Sequence, residues 1–381
     1  MKKYIVFMLL FYSVTLIAQI EYKVVQSETL QDSREIKIQL PRNYNSNPEK
    51  SYPVFFVLDG DYLFEPVAGN VDYYSYWEDM PESIVVGINQ SGKRRKDSEY
   101  DKETYLPTKQ GAEFFEFIGG ELLPLIDKNY RTAKFAIIVG HDLTASFMNY
   151  YLLKENPLFK GYINLSPDYA PDLKNRVANA LSKSESKIWY YLATATDDIK
   201  ALKDDNIAMN KLLESIENDK FYYYFNNFED ATHYSLAGRG IPQAIESIFS
   251  IYRPINQKEF EENVIPTKGT FYEYLLDKYT TIEELYGLDI TVRVNDFMYI
   301  SDAIEDNEKW EQYKDLGKLA NDEHPNKMLG SYFLARHYEE TGDTRKAMKA
   351  YQSAFALEEA AYLTKDMMLK KVEQIKQDFG Y

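Results

Sequence analysis

Short apolar runs alternate with amphipathic segments along the first two thirds of the chain. The segment REIKIQLP alternates apolar and polar residues, whereas several later runs are almost continuously apolar and suit strands that helices cover on both faces. Strands are predicted in REIKIQLP, YPVFFVLDG, ESIVVGIN, FAIIVG, GYINLSP, KIWYYLATAT and FYYYFNNF. Helical spacing is clearest in GAEFFEFIGGELLPLIDKN. This alternation predicts a doubly wound, mostly parallel α/β sheet over residues 19–254.

The pattern becomes purely helical beyond Pro254. The stretch LGSYFLARHYEETGDTRKAMKAYQSAFALEE has small and aromatic residues at the spacing of a tetratricopeptide repeat, a helix-turn-helix unit of about 34 residues. These residues are Leu334, Ala335, Tyr338, Gly342, Ala347, Tyr351 and Ala354. Because about three such units are needed for independent stability, flanking helices are predicted to complete an all-α, tetratricopeptide-like domain over residues 268–381. An ordinary helical bundle with the same spacing is the alternative.

Composition and charge exclude several classes of function. The 381 residues exceed one typical single-core domain, and a hydrophobic share of 45% excludes a largely disordered chain. The formal charge of −16 would repel nucleic acid and anionic membranes. The sequence contains no phosphate-binding glycine loop, metal-ligand spacing or dinucleotide fingerprint, so neither a cofactor nor a metal is predicted.

The N-terminus has the pattern of a secretory leader. Lys2 and Lys3 precede an apolar run from Tyr4 to Ala18, which is shorter than the roughly 20 residues of a membrane span. A signal peptide is therefore predicted over residues 1–18, and the mature protein is expected in the periplasm or outside the cell, without a stable membrane span. An uncleaved N-terminal anchor is the alternative. The sequence has no cysteine, which excludes disulfides and a thiolate site.

The segment FAIIVGHDLTASF indicates a strand, a tight turn and a helix, the arrangement in which α/β-hydrolases present a nucleophile. Asp142 stands at the apex, where serine is expected. Thr144 and Ala145 follow at positions where glycine lets the helix approach the strand, so each added Cβ is expected to make the turn harder to form. Ser146, one helical turn further on, is an alternative nucleophile but is expected to pack on the helix flank.

From about Arg34 to Pro254 the chain resembles the putative esterase (esterase D type) family of α/β-hydrolases, which includes enterobactin-esterase-like proteins. The resemblance rests on YPVFFVLDGDYLF, VVGIN with the basic residues after it, ELLPLIDKNYRT, GHD, NPLFKGYINLSP and THYSL. It implies an α/β-hydrolase fold, a small-molecule ester substrate and a catalytic set in the chain order Ser, Asp or Glu, His.

The resemblance also implies which residues form the site. His233 matches the family's catalytic histidine, and the acid should follow IWYYLATAT, where Asp197 is preferred and Asp198 is the alternate. His141 is a variable position of the turn, and the other histidines lie in the helical extension. Backbone oxyanion donors are implied at Gly60, Asp61 and Leu143, and residues at the mouth of the site are implied at Arg95 and Asp97.

Asp142 leaves the chemistry open. Attack by a carboxylate on an acyl carbon would give an anhydride, whereas displacement at an sp³ carbon would give an alkyl-enzyme ester that a histidine-activated water cleaves. Haloalkane dehalogenases and epoxide hydrolases, which are also α/β-hydrolases, use a similar GHD turn for the second reaction. This chain lacks their HG-type motif and has little room for their cap.

Two hypotheses therefore stand side by side. The first is an exported hydrolase that acts on a small ester or a related electrophile through Asp142, His233 and Asp197. The second is a catalytically silent hydrolase fold that binds a ligand or a protein partner. In the second hypothesis the helical extension is a docking surface for that partner, and a lid or brace for the first domain is its other possible role.

Overall fold

The computed structural model describes residues 20–380, so the predicted leader lies outside the described residues. These residues form two compact units, one of residues 20–76 and 82–248 and one of residues 77–81 and 249–380. The boundaries predicted from the sequence lie at residues 254 and 268. Among the described helices, none combines the length and the apolar character that crossing a bilayer requires.

The first unit is built on one sheet of eight strands. They are β1 (Glu21–Ser27), β2 (Asp32–Gln39), β3 (Tyr52–Val57), β4 (Ile84–Ile88), β5 (Thr132–His141), β6 (Gly161–Leu165), β7 (Ile188–Asp197) and β8 (Phe221–Thr232). Their order across the sheet is β1-β2-β4-β3-β5-β6-β7-β8. β2 runs antiparallel to β1 and to β4, and all other pairs are parallel. The predicted doubly wound, mostly parallel sheet is confirmed.

Burial explains which strands can be recognised in the sequence. Every residue of β3, β4 and β6 is buried, as expected for apolar runs that helices cover on both faces. β1 was not predicted, because it is an edge strand with mostly exposed or half-buried residues and no continuous apolar run. Its place is set by pairing with β2, in register from Glu21 opposite Ile38 to Ser27 opposite Asp32.

Helices connect the parallel strands, and the last helix of this unit follows β8. They are α1 (Phe64–Tyr76), α2 (Arg94–Asp97), α3 (Lys109–Glu116), α4 (Leu123–Asn129), α5 (Leu143–Met148), α6 (Leu173–Ser182), α7 (Lys200–Glu214) and α8 (Leu236–Ile248). A π-helical turn at Phe117–Leu122 joins α3 to α4 without a break, so the helix predicted in this region is present with one irregular turn. Phe114 and Ile118 from this segment are fully buried in the same hydrophobic cluster as Ile138 of β5.

The parallel strands bring polar residues to one edge of the sheet. Asp59 follows β3, Asp142 follows β5, Ser166 follows β6, Asp198 follows β7 and His233 follows β8. The carboxyl ends of parallel strands meet at the same edge, and ligands of open α/β sheets bind there. The fold therefore assembles a candidate site from residues that are far apart in the sequence.

The second unit is helical. Its helices are α9 (Gln257–Glu259), α10 (Phe271–Tyr286), α11 (Val294–Asp306), α12 (Tyr313–Glu323), α13 (Leu329–Glu340), α14 (Thr344–Phe355) and α15 (Lys365–Phe379). Between α13 and α14, Gly342 adopts a φ of 85° and the Asp343 side chain caps α14. Ala335, Ala347 and Ala354 are fully buried. This hairpin is compatible with the predicted tetratricopeptide-like unit.

Candidate active site

Asp142 occupies a strained turn between β5 and α5. Its φ of 58° and ψ of −118° are unfavourable for a residue with a Cβ, and such strain concentrates at functional positions. The Asp142 N–H donates to the Leu165 carbonyl at 3.0 Å, and the Ser146 N–H donates to the Asp142 carbonyl at 3.0 Å. Asp142 therefore stands at the apex of a closed strand-to-helix turn.

The turn forms although Thr144 and Ala145 stand where glycine was expected. Gly140 provides the close approach, because a Cβ there would lie 2.7 Å from the Ala145 nitrogen. The Thr144 hydroxyl donates to Asp59 Oδ2 at 2.6 Å and accepts the His141 N–H at 3.1 Å. Threonine at this position therefore stabilises the turn instead of preventing it.

Asp59 is the centre of the polar contacts behind the turn. Its carboxylate is 2% exposed and accepts hydrogen bonds from Arg94 Nε at 2.7 Å and Thr144 Oγ1 at 2.6 Å, and the Tyr62 hydroxyl lies 3.0 Å from it. The Asp59 N–H donates to Gln90 Oε1 at 2.9 Å. A buried carboxylate needs such partners to offset its desolvation. Asp59 thereby ties together the chain segments that follow β3, β4 and β5.

Arg94 connects Asp59 to the apex carboxylate. Its Nη1 donates to Asp142 Oδ2 at 3.0 Å, and its Nη2 donates to the His141 carbonyl at 2.6 Å. Burial would lower the pKa of Arg94, but the hydrogen bond to Asp59 and the negative charge of that carboxylate raise it, so the guanidinium is charged. Within residues 20–380, nothing donates a hydrogen bond to Asp142 Oδ1. The Asp142 side chain is 20% exposed, and its carboxylate is held through one oxygen.

His233 is paired with Asp198, which corrects the preference for Asp197 as the acid. His233 Nδ1 lies 2.8 Å from Asp198 Oδ1. Asp198 Oδ2 also accepts the Ser166 hydroxyl at 2.7 Å and the Thr194 hydroxyl at 2.9 Å. Asp197 is the last residue of β7 and is exposed, because consecutive side chains of an extended segment point in opposite directions. The alternate acid is the one that the fold brings to His233.

The charge of Asp198 follows from its surroundings. Burial would raise the pKa of Asp198, but hydrogen bonds from His233 and three other donors outweigh burial and lower that pKa to about 2. An ionised Asp198 accepts the Nδ1 proton of His233, so in the neutral imidazole Nε2 is the acceptor. The His233 side chain is 8% exposed, and no described residue hydrogen-bonds to its Nε2. His233 is therefore an oriented base with a free lone pair.

His141 lies between the rings of His233 and Tyr62. The centroids of the His141 and His233 rings are 4.4 Å apart, and His141 Nε2 lies 3.1 Å from the His233 carbonyl oxygen. His141 Nδ1 lies 3.0 Å from the Tyr62 hydroxyl. Since a carbonyl oxygen only accepts, His141 Nε2 carries a proton. The described residues show no hydrogen bond between Asp142 and His233, so His141 is the residue of the turn that contacts the base.

The buried His141 predicts a specific loss of stability in acid. Burial, and then the neighbouring His233, lower the pKa of His141 from 6.5 to about 4. Because the unfolded chain binds this proton first, the free energy of unfolding should fall as the pH drops from 6.5 to about 4. The corresponding contribution is about 3 kcal/mol. Urea denaturation at pH 7 and pH 4.5 measures it.

The variant His141→Gln isolates this effect from the titration of the carboxylates. The glutamine side chain does not bind a proton between pH 7 and pH 4.5. The difference in the free energy of unfolding between the two pH values should therefore be smaller in the variant than in the wild type. An identical difference in both proteins would contradict a neutral, buried His141.

The implied oxyanion donors are only partly available. The Gly60 N–H donates to the Ile88 carbonyl at 2.8 Å. It is therefore not available to an oxyanion, which corrects the role implied for Gly60. A Cβ at Gly60 would lie 2.7 Å from the Ile88 nitrogen, and this close approach explains the glycine. The Leu143 N–H is the first of α5 and has no intrahelical acceptor. The Asp61 N–H makes no hydrogen bond to another described residue. The roles of Leu143 and Asp61 as backbone oxyanion donors stay predictions.

Arg94, and neither Arg95 nor Asp97, contacts the apex. Asp97 is fully buried, where it pairs with Arg34 at 2.5 Å. Arg95 is exposed and forms no hydrogen bond or ion pair within the described residues. Because α2 is a single helical turn, its successive side chains point in different directions. The prediction that Arg95 and Asp97 lie at the mouth of the site is therefore corrected, and Arg94 is the residue of α2 that contacts Asp142.

Other candidate groups take structural roles. The Ser146 hydroxyl accepts the Ala170 N–H at 3.2 Å and is buried, so Ser146 packs as expected. His324 and His337 bond to backbone carbonyls in the helical unit. Among residues 20–380, no group of three or more histidine and acidic side chains is arranged to hold a metal ion.

Sequence reasoning missed Asp59 and Tyr62. Asp59 directly follows the apolar run YPVFFVL, and an acidic residue at the carboxyl end of a buried strand was a usable signal. Tyr62 carries no comparable signal, because one tyrosine among 34 is recognisable only by its contacts.

Comparisons with known proteins agree with this fold. The model of the family described as "Putative esterase" matches residues 27–333. The structure of an uncharacterised protein from Capnocytophaga ochracea is 29% identical, covers 94% of this chain and 100% of its own, and superposes with a TM-score of 0.85. An IroE-like serine hydrolase from Shewanella oneidensis is 22% identical over 80% of this chain and 99% of its own, with a TM-score of 0.60.

A third structure, the BES protein from Bacillus cereus, is 19% identical over 67% of this chain and 100% of its own, with a TM-score of 0.54. No curated protein matches the chain. The structural matches below 25% identity support the fold alone, whereas the family model covers most of the sequence. The predicted family is thereby confirmed, and the chain belongs to the putative esterase family of α/β-hydrolases.

Proposed function

We propose that the protein hydrolyses a small electrophile at a saturated carbon through a covalent intermediate on Asp142. In the first step Asp142 Oδ1, which accepts no hydrogen bond within the described residues, attacks the carbon and expels a leaving group with its bonding electrons. The result is an alkyl ester of Asp142. Attack on an acyl carbon would give an anhydride instead, so ordinary ester hydrolysis through the apex is disfavoured.

His233 completes the proposed reaction as a general base. Its Nε2 takes a proton from water while the water oxygen adds to Cγ of the esterified Asp142, and an electron pair moves onto the carbonyl oxygen. The tetrahedral species then releases the alkoxide, which leaves with the original Asp142 oxygen and takes the proton from His233. The new carboxyl group loses its own proton. One water is consumed per turnover, and with a halide substrate one proton and one halide ion are released. With an epoxide substrate the expelled oxygen stays attached as an alkoxide and takes up that proton, so the product is a diol.

The observation that supports this proposal is the hydrogen bond between His233 and Asp198 at 2.8 Å. A base that activates water needs a fixed tautomer and a free lone pair, and this pair supplies both. His233 and Asp142 follow strands that end at the same edge of the sheet. A carboxylate nucleophile and a separate water-activating base are the two groups that the displacement route requires.

Incorporation of ¹⁸O tests the covalent step directly. The protein is given less than one equivalent of styrene oxide or 1-bromobutane in ¹⁸O water, and the peptide containing Asp142 is analysed by mass spectrometry. We expect one ¹⁸O in that peptide and none in the first-turnover alcohol, because the alcohol carries the original Asp142 oxygen. The matched control Asp197→Asn should label equally, since Asp197 is exposed and outside the pair. Label in the alcohol and none in Asp142 would contradict the proposal.

A catalytically silent binding protein is the second candidate. It is favoured by the ion pair between Arg94 and Asp142, since a carboxylate held by a cation is a weaker nucleophile. This candidate is supported if no variant of the displacement experiment gives an adduct, label or product. Ester hydrolysis that appears only in Asp142→Ser would also support it. In that case the helical unit is proposed to dock a protein partner, and the predicted leader would place either function outside the cytoplasm.

A further inference from the structure

Arg94 is held in one orientation beside the apex. Its Nε is fixed by the buried Asp59 at 2.7 Å, and its Nη2 is fixed by the His141 carbonyl at 2.6 Å. The contact from Nη1 to Asp142 Oδ2 at 3.0 Å therefore needs no rearrangement of the guanidinium. A donor fixed in this way is preorganised for charge that develops at Asp142 Oδ2.

We propose that Arg94 is a catalytic residue that stabilises the oxyanion formed when water attacks the alkyl ester of Asp142. This inference rests on the proposed function. Asp142 Oδ1 is the oxygen that attacks, so Oδ2 becomes the ester carbonyl oxygen and then carries the negative charge of the tetrahedral species. Arg94 Nη1 already lies within hydrogen-bond distance of that oxygen. The Gly60 N–H is engaged by the Ile88 carbonyl, so one of the backbone donors implied by the resemblance is not available for this charge.

Arg94 should act in opposite directions on the two steps. The free Asp142 carboxylate is negative, and its charge at Oδ2 decreases as the alkyl ester forms, so the interaction with Arg94 weakens in the first step. The ester is neutral, and a full negative charge returns to Oδ2 during attack by water. Only interactions that strengthen towards a transition state accelerate that step. Arg94 therefore slows alkylation and accelerates hydrolysis of the intermediate.

Rapid-mixing mass spectrometry separates the two rates with styrene oxide as the probe. In Arg94→Gln we expect the adduct on Asp142 to form at least as fast as in the wild type and to decay about 10²- to 10³-fold more slowly. Arg94→Lys keeps the positive charge and should decay at an intermediate rate. Arg95→Gln is the matched control and should leave both rates unchanged, because Arg95 is exposed and outside the site.

The outcomes distinguish this inference from the proposed function. Equal losses in formation and decay in Arg94→Gln, or unchanged decay, would overturn the role of Arg94 while leaving the covalent route in place. Absence of an adduct in the wild type and in His233→Gln would overturn both. If the glutamine variant does not fold, Arg94→Lys still provides the test. Thermal midpoints of all variants confirm that folded proteins are compared.

Discussion

Replacement of His233 by glutamine is expected to lower kcat about 10²- to 10⁴-fold and to leave the alkyl ester on Asp142 intact. Displacement at carbon needs only the Asp142 carboxylate, whereas hydrolysis of the ester needs a base that His233 Nε2 provides. The first half-reaction should therefore proceed and the second should stop. Turnover of 1-bromobutane and the mass of the intact protein, measured on one sample, test both halves.

The matched control is His324→Gln, which removes a histidine of the helical unit that bonds to a backbone carbonyl. Its kcat should equal that of the wild type. A variant of His233 that turns over normally would exclude it as the base. A large loss of kcat without accumulation of adduct would mean that His233 acts before the covalent step or that no such step exists.

Replacement of Asp97 by alanine is expected to lower the free energy of unfolding by about 3–5 kcal/mol. Asp97 is fully buried and its partner Arg34 is 2% exposed, so the variant leaves a buried cation without its anion. Burial raises the pKa of Asp97 although the charge of Arg34 opposes the shift, so this environment disfavours charge. Urea denaturation with a constant m-value measures the loss.

Asp32→Ala is the control, because Asp32 pairs with Lys93 on the surface and should contribute little. A double variant, Arg34→Met with Asp97→Leu, removes both charges and should recover part of the stability, since apolar side chains of similar volume can replace a buried pair. Equal stability of Asp97→Ala and Asp32→Ala would show that the buried pair contributes no more than an exposed one.

The fold could be predicted wherever burial is complete. β3, β4 and β6 are buried at every position, so their sequences are continuous apolar runs. The change from a strand pattern to a helix pattern predicts the tight turn at Asp142. β1 could not be predicted, because it is fixed by hydrogen bonds to β2 at the sheet edge and has few buried side chains. Backbone pairing leaves no mark on hydrophobic periodicity.

For the acid and the arginine of the candidate site, the sequence predicted the position to within one residue along the chain. Chain order and context located His233, but the choice between Asp197 and Asp198 depends on which way each side chain leaves the end of β7. The same limit applies to the turn of α2, where Arg94 and Arg95 differ by one position and point to different surroundings. Local direction of this kind is set by tertiary contacts, so residue types and spacing alone do not fix it.

The fixed guanidinium also constrains how this site could change during evolution. With serine at position 142, Arg94 would still be held by Asp59 and by the His141 carbonyl, and its Nη1 would lose the carboxylate oxygen that it contacts at 3.0 Å. The shorter serine side chain would leave this part of a half-buried cation without its anion, which costs free energy. A path from this protein to a serine enzyme therefore runs through paired substitutions, with the arginine exchanged before or together with the apex.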